Sequence, residues 1–284
     1  MTEVDTRELR YFIAVAEELH FGRAADRLGI AQPPLSRAIR RLEHRVGARL
    51  FDRTGRGVRL TAAGEVLLAE GRAALDAVSA AVRRARRAGR PRRSLTLVMK
   101  PGGDAGLLPA ILAAYAARPG AAAVDLVFSQ SERAAMLRDG RADVGLLHHP
   151  QNDLTGLDTE PLRTERRVAA LAEGHPLAAR ATLSLADLAG EPMAQWPEAA
   201  ERGNGPRVEE AGQMWQLVVL GRAVALVTES AAERPYRGVV YRPVTDAAPA
   251  TLVLAWPAES RSRDVAEFTA AARAALAPAL TGQT

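Results

Sequence analysis

Residues 21–42 of this 284-residue chain have the sequence FGRAADRLGIAQPPLSRAIRRL. Small alanines precede Gly29, a Gln-Pro-Pro triplet follows it, and arginines then recur along an apolar repeat. Gly29 can adopt the positive φ that ends a helix, and Pro33 and Pro34 fit a first helical turn, where their missing N–H groups cost nothing. This order predicts a short helix over 23–28, a tight turn and a second helix over 32–46.

The second of these helices has two different faces. Leu35, Ile39, Leu42 and Val46 share one side, and at about 100° per residue the opposite side carries Pro33, Arg37, Arg40, Arg41 and His44. A further amphipathic helix begins near Thr6. The pattern is typical of a helix-turn-helix, whose second helix can enter the major groove of DNA. An ordinary helical hairpin with a solvated basic face is the alternative at this point.

A glycine-rich hairpin follows these helices. Residues 50–60, LFDRTGRGVRL, contain two short strand-like pieces around a Thr-Gly-Arg-Gly turn. Such a wing can place an arginine in the narrow minor groove, where the negative potential is strongest. We predict that role for Arg56 at the tip, with Arg53 and Arg59 nearer the phosphates. The wing strongly favours the DNA-binding interpretation over the helical hairpin.

Residues 9–64 as a whole resemble the winged helix-turn-helix of LysR-type transcriptional regulators, through the elements AA-x-x-L, Q-P-x-L-S-R-x-I-x-x-LE, LF-x-R and LT-x-x-G. The resemblance implies base-edge contacts from Gln32, Pro33, Pro34 and Arg37, and backbone contacts from Arg23, Ser36 and Arg53. One departure lies at 20–23, HFGR, where the family commonly has a hydroxyl-bearing residue. We expect the helix to lose a cap and a phosphate donor there, and Arg23 to substitute.

Charge is distributed unevenly along the chain. Residues 1–93 carry 20 arginines and 11 acidic residues, a net charge of +9, whereas residues 94–284 carry a net charge of −4. This asymmetry indicates that the first third meets a polyanion.

The chain has no cysteine, which excludes disulfides and cysteine-ligated metals. Because no signal-like or membrane-spanning apolar run is present, we expect a cytoplasmic protein without a membrane partner.

A long proline-free helix is predicted after the wing, capped by Thr61 and covering 62–88. Its apolar residues approach the spacing of a coiled-coil seam: Leu68, Leu75, Val78, Val82 and Ala85. Packing of this seam on the chain's own domain is the alternative to dimerisation. The family resemblance favours a dimerising linker helix, followed by an arginine-rich hinge that ends at residue 93.

The remaining residues, 94–284, alternate β-prone and helical segments and then change pattern, which predicts an α/β fold with a parallel sheet. Strands are predicted at 95–99, 124–128, 143–147, 168–171, 193–196, 224–227, 239–241 and 251–256, and helices at 107–117, 132–138, 213–220 and 260–276. The whole chain is therefore α/β in class, with domains at 1–60, 61–93 and 94–284.

The segments LLPAILAAYAARP, LRDGRADVGLL and VVLGRAVALV resemble the two-lobed, periplasmic-binding-protein-like effector domain of the same family. The resemblance implies a first lobe over 94–166 and 229–284 and a second over 167–228, with the effector between them at strand C-terminal ends. A carboxylate could be held by Lys100 or by free N–H groups. The expected effector-binding residues are Lys100, Gly102, Gly103, Ser129, Gln130, His148, Trp196 and Thr228, although Ser129 could equally cap a helix and His148 could lie in a surface loop.

Two departures bear on this domain. Gly102 and Gly103 replace a hydroxyl residue that the family often has after the first strand. The segment after Trp196, PEAAERGNGPR, is shorter than is usual in the family, so we expect a truncated second lobe. A regulator without any small-molecule effector is therefore an alternative.

Other classes of function have less support. The sequence contains no G-x-S-x-G, H-E-x-x-H, P-loop or G-x-G-x-x-G pattern, so we expect no enzyme, cofactor or metal site. A solute-binding protein would need export. The expected partners are double-stranded DNA, a small-molecule effector, further copies of the chain as a homodimer or homotetramer, and RNA polymerase.

Overall fold

The computed structural model describes residues 4–54, 57–89, 93–196 and 204–280, and the chain divides into two compact units, Met1–Ala85 and Arg86–Thr284. The first part of the chain contains the helices α1 (Thr6–Glu18), α2 (Phe21–Leu28), α3 (Gln32–Val46) and α4 (Ala62–Ala88), and the strands β1 (Phe51–Thr54) and β2 (Gly57–Leu60). The predicted helix over 32–46 is thus confirmed, and the one predicted over 23–28 begins two residues earlier.

The core of the N-terminal unit is built on the apolar side of α3. Leu35, Ile39 and Leu42 are buried against Phe12 of α1 and Phe51 of β1. Burial of each such side chain contributes about 1.5–3 kcal/mol, so this side fixes α3 in place. Val46 does not take part. It is 40% exposed, because α3 ends there and Gly47 turns the chain away with a φ of 74°.

The wing is an antiparallel hairpin. β1 pairs with β2 from Phe51 opposite Leu60 to Thr54 opposite Gly57. Its two-residue tip, which includes Arg56, lies outside the described residues. Thr61 then caps α4, since its Oγ1 accepts a 3.0 Å hydrogen bond from the amide of Gly64, and both the hairpin and this cap agree with the sequence prediction.

The second unit contains two sheets. Its strands are β3 (Ser94–Met99), β4 (Ala123–Phe128), β5 (Val144–His149), β6 (Leu157–Glu165), β7 (Arg167–Ala172), β8 (Ala225–Thr228), β9 (Val239–Pro243) and β10 (Ala250–Pro257). Its helices are α5 (Leu108–Ala116), α6 (Arg133–Arg138), α7 (Leu185–Leu188), α8 (Ala211–Val219), α9 (Ser230–Glu233) and α10 (Arg263–Leu280), with a 3₁₀ turn at Pro176–Ala179. The sheet orders are β4-β3-β5-β10-β6 and β8-β7-β9.

Each sheet forms the centre of one lobe. In the first lobe, α5 and α10 cover one face of the sheet around Tyr115 and Phe268, and α6 covers the other around Leu137. The parallel pairing of β3 with β4 and β5 was predicted. In the second lobe, apolar clusters lie around Leu171 and around Met214. The second lobe therefore has a core of its own.

Two sequence predictions about this unit are wrong, and one strand was missed. The segment 193–196 forms isolated bridges instead of a strand, through Met193 to Val224 and Gln195 to Arg207. The strand β6 was not predicted at all. The strand β9 lies in the second sheet, so the chain returns to the first lobe only with β10, later than the boundary expected at residue 229. Sheet membership depends on long-range pairing, which local sequence does not specify.

Candidate DNA-binding surface and effector cleft

The side of α3 opposite the core is polar and accessible. Most of the side chains expected to touch DNA lie on it: Gln32, Pro33, Pro34, Arg37, Arg40 and Arg41 are exposed and Ser36 is half-buried. No side chain caps the start of the helix at Ala31. The first turn of α3 therefore presents Gln32 and its two prolines to solvent, which is compatible with a helix that enters a groove.

A buried carboxylate orients the end of α3. Glu8 of α1 is buried, and its Oε2 accepts a 2.6 Å hydrogen bond from Nη1 of Arg45. The second carboxylate oxygen lies 3.9 Å from Nε of Arg41. Arg40 instead leans along its own helix, with its Nε 3.4 Å from the carbonyl oxygen of Ser36. The side chain of Arg45 is thus held by a carboxylate, whereas that of Arg40 is held only by its own helix.

The start of α2 differs from expectation, because its cap is not lost. The ring of His20 replaces the absent hydroxyl: its Nδ1 accepts hydrogen bonds from the amides of Gly22 and Arg23, at 3.1 and 3.2 Å. The guanidinium of Arg23 turns back to α1 and donates a 2.6 Å hydrogen bond to the carbonyl oxygen of Glu18. Arg23 nevertheless remains largely exposed.

The two wing arginines were expected to contact DNA, and the structure adds little about them. Arg53 belongs to β1, although its side chain is not among those described. Arg56 lies outside the described residues. Their roles remain predictions from the sequence.

The residues of the expected dimer seam have different environments. Leu68 packs against the core of the helix-turn-helix unit, which corrects its assignment to an open seam. Leu75 is half-buried. Val78 and Val82, one turn apart on α4, are 45% and 46% exposed. An exposed valine pair on one helix face is an unfavourable arrangement for an isolated chain in water.

The second unit contains a cavity of about 730 Å³ with residues of both lobes in its walls. Six of the eight expected effector-binding residues line it: Lys100, Gly102, Gln130, His148, Trp196 and Thr228. The wall contributed by the second lobe is largely apolar, although Arg167 and Arg234 also line it. Its aromatic part has Trp215 stacked on Tyr236 at a centroid distance of 5.7 Å. A concave, mostly apolar space with few polar groups is typical of small-molecule sites.

Lys100 supplies a cation to this cavity. It directly follows β3, and among the described residues its ammonium has no hydrogen bond and no ion pair. Burial, and next the neighbouring Arg133, lower the pKa of Lys100 to about 8. The amine therefore keeps its proton at neutral pH. The carboxylate of Glu165 is close enough for its charge to act on Lys100 but forms no ion pair with it. A half-buried cation without a direct partner favours an anionic ligand.

Gly103 does not line the cavity, which corrects its expected role. A Cβ at this position would lie 2.2 Å from Cγ and 2.5 Å from Cε of Lys100. The lysine stem thus occupies the space that a side chain at position 103 would need. Ser129 also lies outside the lining, and its Oγ accepts a 3.1 Å hydrogen bond from the amide of Glu132 at the start of α6. Ser129 therefore makes a local turn contact just before α6, whose N-cap is Glu132.

His148 is buried in the cavity wall, being 4% exposed, so its assignment to a surface loop is wrong. It is the penultimate residue of β5 and lies next to the buried Asn152, whose Oδ1 accepts a 3.0 Å hydrogen bond from the amide of His148. Burial, and then the charge of Lys100, lower the pKa of His148 to about 2. The imidazole is therefore neutral at physiological pH.

Sequence reasoning missed several residues of the same region, among them three charged ones. Arg133 of α6 is buried, and its guanidinium donates hydrogen bonds to the carbonyl oxygens of Ser129 and Gln130 and to Asn152. Arg167 at the start of β7 also lines the cavity and donates a 2.7 Å hydrogen bond to the carbonyl oxygen of Leu226. Glu165 is fully buried beside His148. These residues carry no motif, and only their position at strand and helix ends could have suggested them.

An exposed, arginine-rich helix on a winged helix-turn-helix, together with a two-lobed domain that encloses a cation-bearing cavity, defines a DNA-binding protein with a ligand-binding domain. Comparison with known proteins makes the assignment specific. Residues 6–65 match the model of the bacterial regulatory helix-turn-helix protein, lysR family, and residues 88–277 match the LysR substrate binding domain. The chain belongs to the LysR family of DNA-binding transcriptional regulators.

Individual relatives agree with this assignment. The chain is 34% identical over 258 residues to the transcriptional regulator AlsR of Bacillus subtilis, covering 84% of this chain and 85% of AlsR. It is 32% identical over 297 residues to HcaR, the Hca operon transcriptional activator of Escherichia coli, covering 96% of this chain and 99% of HcaR. Full-length CbnR, solved in complex with its target DNA, matches this chain with a TM-score of 0.52 and 25% sequence identity. The match covers 96% of this chain and 100% of CbnR.

The match over 88–277 also corrects the alternative of a truncated second lobe. The substrate-binding model extends across the shortened segment, and the second sheet has apolar clusters of its own. The second lobe is therefore present despite the short segment. Concerning membranes, no helix in the described part of the chain is long and apolar enough to cross a bilayer.

Proposed function

We propose that this regulator binds an interrupted palindrome near a promoter, as a dimer or a tetramer, and that α3 reads bases in the major groove. The observation that carries the proposal is the exposed polar side of α3 opposite its buried apolar side. On this proposal Gln32, Pro33, Pro34 and Arg37 contact bases, since Gln and Arg can hydrogen-bond purine edges and proline can meet a thymine methyl group. Arg23, Ser36, Arg40, Arg41, Arg53 and Arg56 contact the backbone or the minor groove.

Binding to DNA sites enriched by the wild type, compared with random duplexes, tests this assignment. Arg37→Ala should cost about 1–3 kcal/mol on enriched sites and relax the base preference at one position. Arg53→Ala should weaken binding to all duplexes alike and reduce the salt slope by about one. Arg261→Ala, an exposed arginine of the second unit, is the control for loss of a charge. Equal affinity of the wild type for enriched and random duplexes would contradict sequence-specific regulation.

A symmetric assembly follows from the small number of bases that one DNA-binding domain can contact. One helix-turn-helix contacts too few bases for useful specificity, and two half-sites double the contacts. The exposed pair Val78 and Val82 on α4 supports a contact between copies at this face. We place the protein in the cytoplasm with the chromosome and propose RNA polymerase as its further partner.

For the cavity we propose a small carboxylic acid as effector. The observation that supports this proposal is the ammonium of Lys100, which lines the cavity and forms no direct ion pair with any described residue. Because the opposite wall is aromatic, benzoate is a suitable probe and benzamide its uncharged match. Calorimetry with the full-length protein should show benzoate binding at least tenfold more tightly, and Lys100→Met should abolish the difference. Equal affinities for benzoate and benzamide in the wild type would refute the carboxylate effector.

A further inference from the structure

A carboxylate joins α3 to the wing. Glu43 lies in the last turn of α3, and its Oε1 accepts hydrogen bonds from the amides of Leu50 and Phe51, at 2.9 and 3.3 Å. These two amides stand where the chain enters β1. Both residues are buried, so their amides need partners within the protein. The helix proposed to read bases thus supplies the acceptor for the start of the wing.

The exit of the wing is tied to the same place. The carbonyl oxygen of Leu50 accepts a 3.1 Å hydrogen bond from the amide of Thr61, the residue directly after β2. Oγ1 of Thr61 donates a 2.7 Å hydrogen bond to the carbonyl oxygen of Arg49. The helix α4 also approaches closely here, since a Cβ on Gly64 would lie 2.2 Å from the carbonyl oxygen of Leu50. Both ends of the hairpin are therefore tied to Leu50, and Leu50 is tied to Glu43.

The hydrogen bonds to Glu43 add direction to an apolar contact. Phe51 belongs to the same buried cluster as Leu35, Ile39 and Leu42 of α3. Apolar burial is non-directional, so it keeps the hairpin on the core without fixing its angle. A hydrogen bond weakens steeply when its donor and acceptor leave alignment. The carboxylate of Glu43 is therefore the group that can set the angle between α3 and the wing.

We infer that Glu43 is a positioning residue for DNA binding, which fixes the wing relative to α3 so that both meet the duplex as one rigid body. This inference rests on the DNA contacts proposed above for α3 and the wing, and it adds the residue that couples them. Because phosphates repel a carboxylate, Glu43 acts through the wing and not by contact with DNA. Arg53 follows Phe51 by two residues in β1, so a displacement of the Phe51 amide is passed on to Arg53.

A double-mutant cycle in the full-length protein tests this coupling. In the wild type, Arg53→Ala should reduce the salt slope of DNA binding by about one. In Glu43→Ala the wing is released, so the slope should already be lower by about one, and adding Arg53→Ala should change it no further. An equal effect of Arg53→Ala in both backgrounds would overturn the inference. No effect of Arg53→Ala in the wild type would overturn the proposed wing contact, and the inference with it.

Arg37→Ala is the control for general damage to the domain. Arg37 lies on α3 itself, so its contact does not depend on the wing. Arg37→Ala should therefore lower the affinity for enriched sites by the same factor, roughly 5- to 150-fold, in the wild type and in Glu43→Ala. A smaller factor in Glu43→Ala would mean that α3 is displaced as well, which would overturn a role specific to the wing.

Two further variants at position 43 separate geometry from charge. Glu43→Gln keeps the length and the accepting oxygen and removes only the charge, so it should restore the wild-type response to Arg53→Ala. Glu43→Asp keeps the charge but is one methylene shorter, so it should behave like Glu43→Ala, and it replaces that variant if alanine prevents folding. A wild-type response to Arg53→Ala in Glu43→Asp would contradict the inference.

Hydrogen–deuterium exchange follows the contact itself. The amides of Leu50 and Phe51 should exchange faster in Glu43→Ala and Glu43→Asp than in the wild type and Glu43→Gln, because they lose their acceptor. The amides of α3 should keep their wild-type rates. Unchanged exchange of both wing amides would show that Glu43 does not hold the wing.

Discussion

Nη1 of Arg45, in the last turn of α3, donates a 2.6 Å hydrogen bond to Oε2 of Glu8, which is buried in α1. This contact fixes the end of the DNA-facing helix to the first helix of the domain. It also keeps a carboxylate beneath Arg41, whose Nε is 3.9 Å from Oε1 of Glu8. The orientation of α3 therefore depends on a charge pair as well as on its apolar side.

We predict that Glu8→Gln loosens α3. The amide cannot replace the charge opposite Arg45, and because Arg45 is partly exposed we expect a loss of only about 1–2 kcal/mol. Hydrogen–deuterium exchange should accelerate in α1 and α3 of the full-length protein. Glu18→Gln is the control, since its partner Arg23 is mostly exposed. Unchanged exchange in α3 would show that the pair does not orient the helix.

The second prediction concerns the imidazole cap of α2. His20→Ala removes the acceptor of two amide hydrogen bonds and should destabilise α2 by about 1 kcal/mol. His20→Asn supplies a carboxamide oxygen and should restore most of the loss. The measurement is exchange protection of the first amides in α2, and a failure of Asn to rescue them would contradict capping.

The third prediction is a pH dependence of effector binding. Since the pKa of Lys100 is lowered to about 8, its ammonium is present below pH 8 and is lost above it. Benzoate affinity should therefore be nearly constant up to pH 7 and decrease by roughly tenfold per unit above pH 8. Lys100→Arg, with a guanidinium that does not titrate in this range, should bind without that decrease. A flat wild-type profile between pH 7 and 10 would argue against Lys100 as the anchor.

The fourth prediction concerns α4. Val78→Glu combined with Val82→Glu should convert the assembly to monomers and weaken operator binding, because charges replace an apolar contact between copies. Ala73→Glu is the matched control, as Ala73 is exposed on the other side of the same helix. Sedimentation velocity measures the outcome. An unchanged sedimentation coefficient in the double variant would exclude this face as the dimer contact.

Local patterns predicted the N-terminal unit well. The apolar repeat, the two prolines and Gly29 defined α3 and the turn before it. Helix periodicity and the residues that start or end a helix are local properties of the sequence. The cap at His20 was not predicted, since a ring nitrogen is a rare acceptor at that position compared with a hydroxyl or a carboxylate.

The second unit was predicted less completely, for physical reasons. The strand β6, with the sequence LDTEPLRTE, is mostly polar and contains Pro161, so it has no strand signal of its own and is held by pairing with β10. The buried Arg133 and Glu165 have no local signature either. Their roles arise from neighbours that are distant in sequence, which a one-dimensional pattern cannot specify.

The absence of a side chain at position 103 has an evolutionary consequence. Because a Cβ there would lie within 3 Å of three carbons of Lys100, a hydroxyl-bearing residue at 103 is incompatible with the present path of the lysine. Serine at 103 would therefore have to push the lysine stem aside. A substitution at 103 would thus also move the charge carried by residue 100, so the two positions are inherited as one determinant of what the cavity can hold.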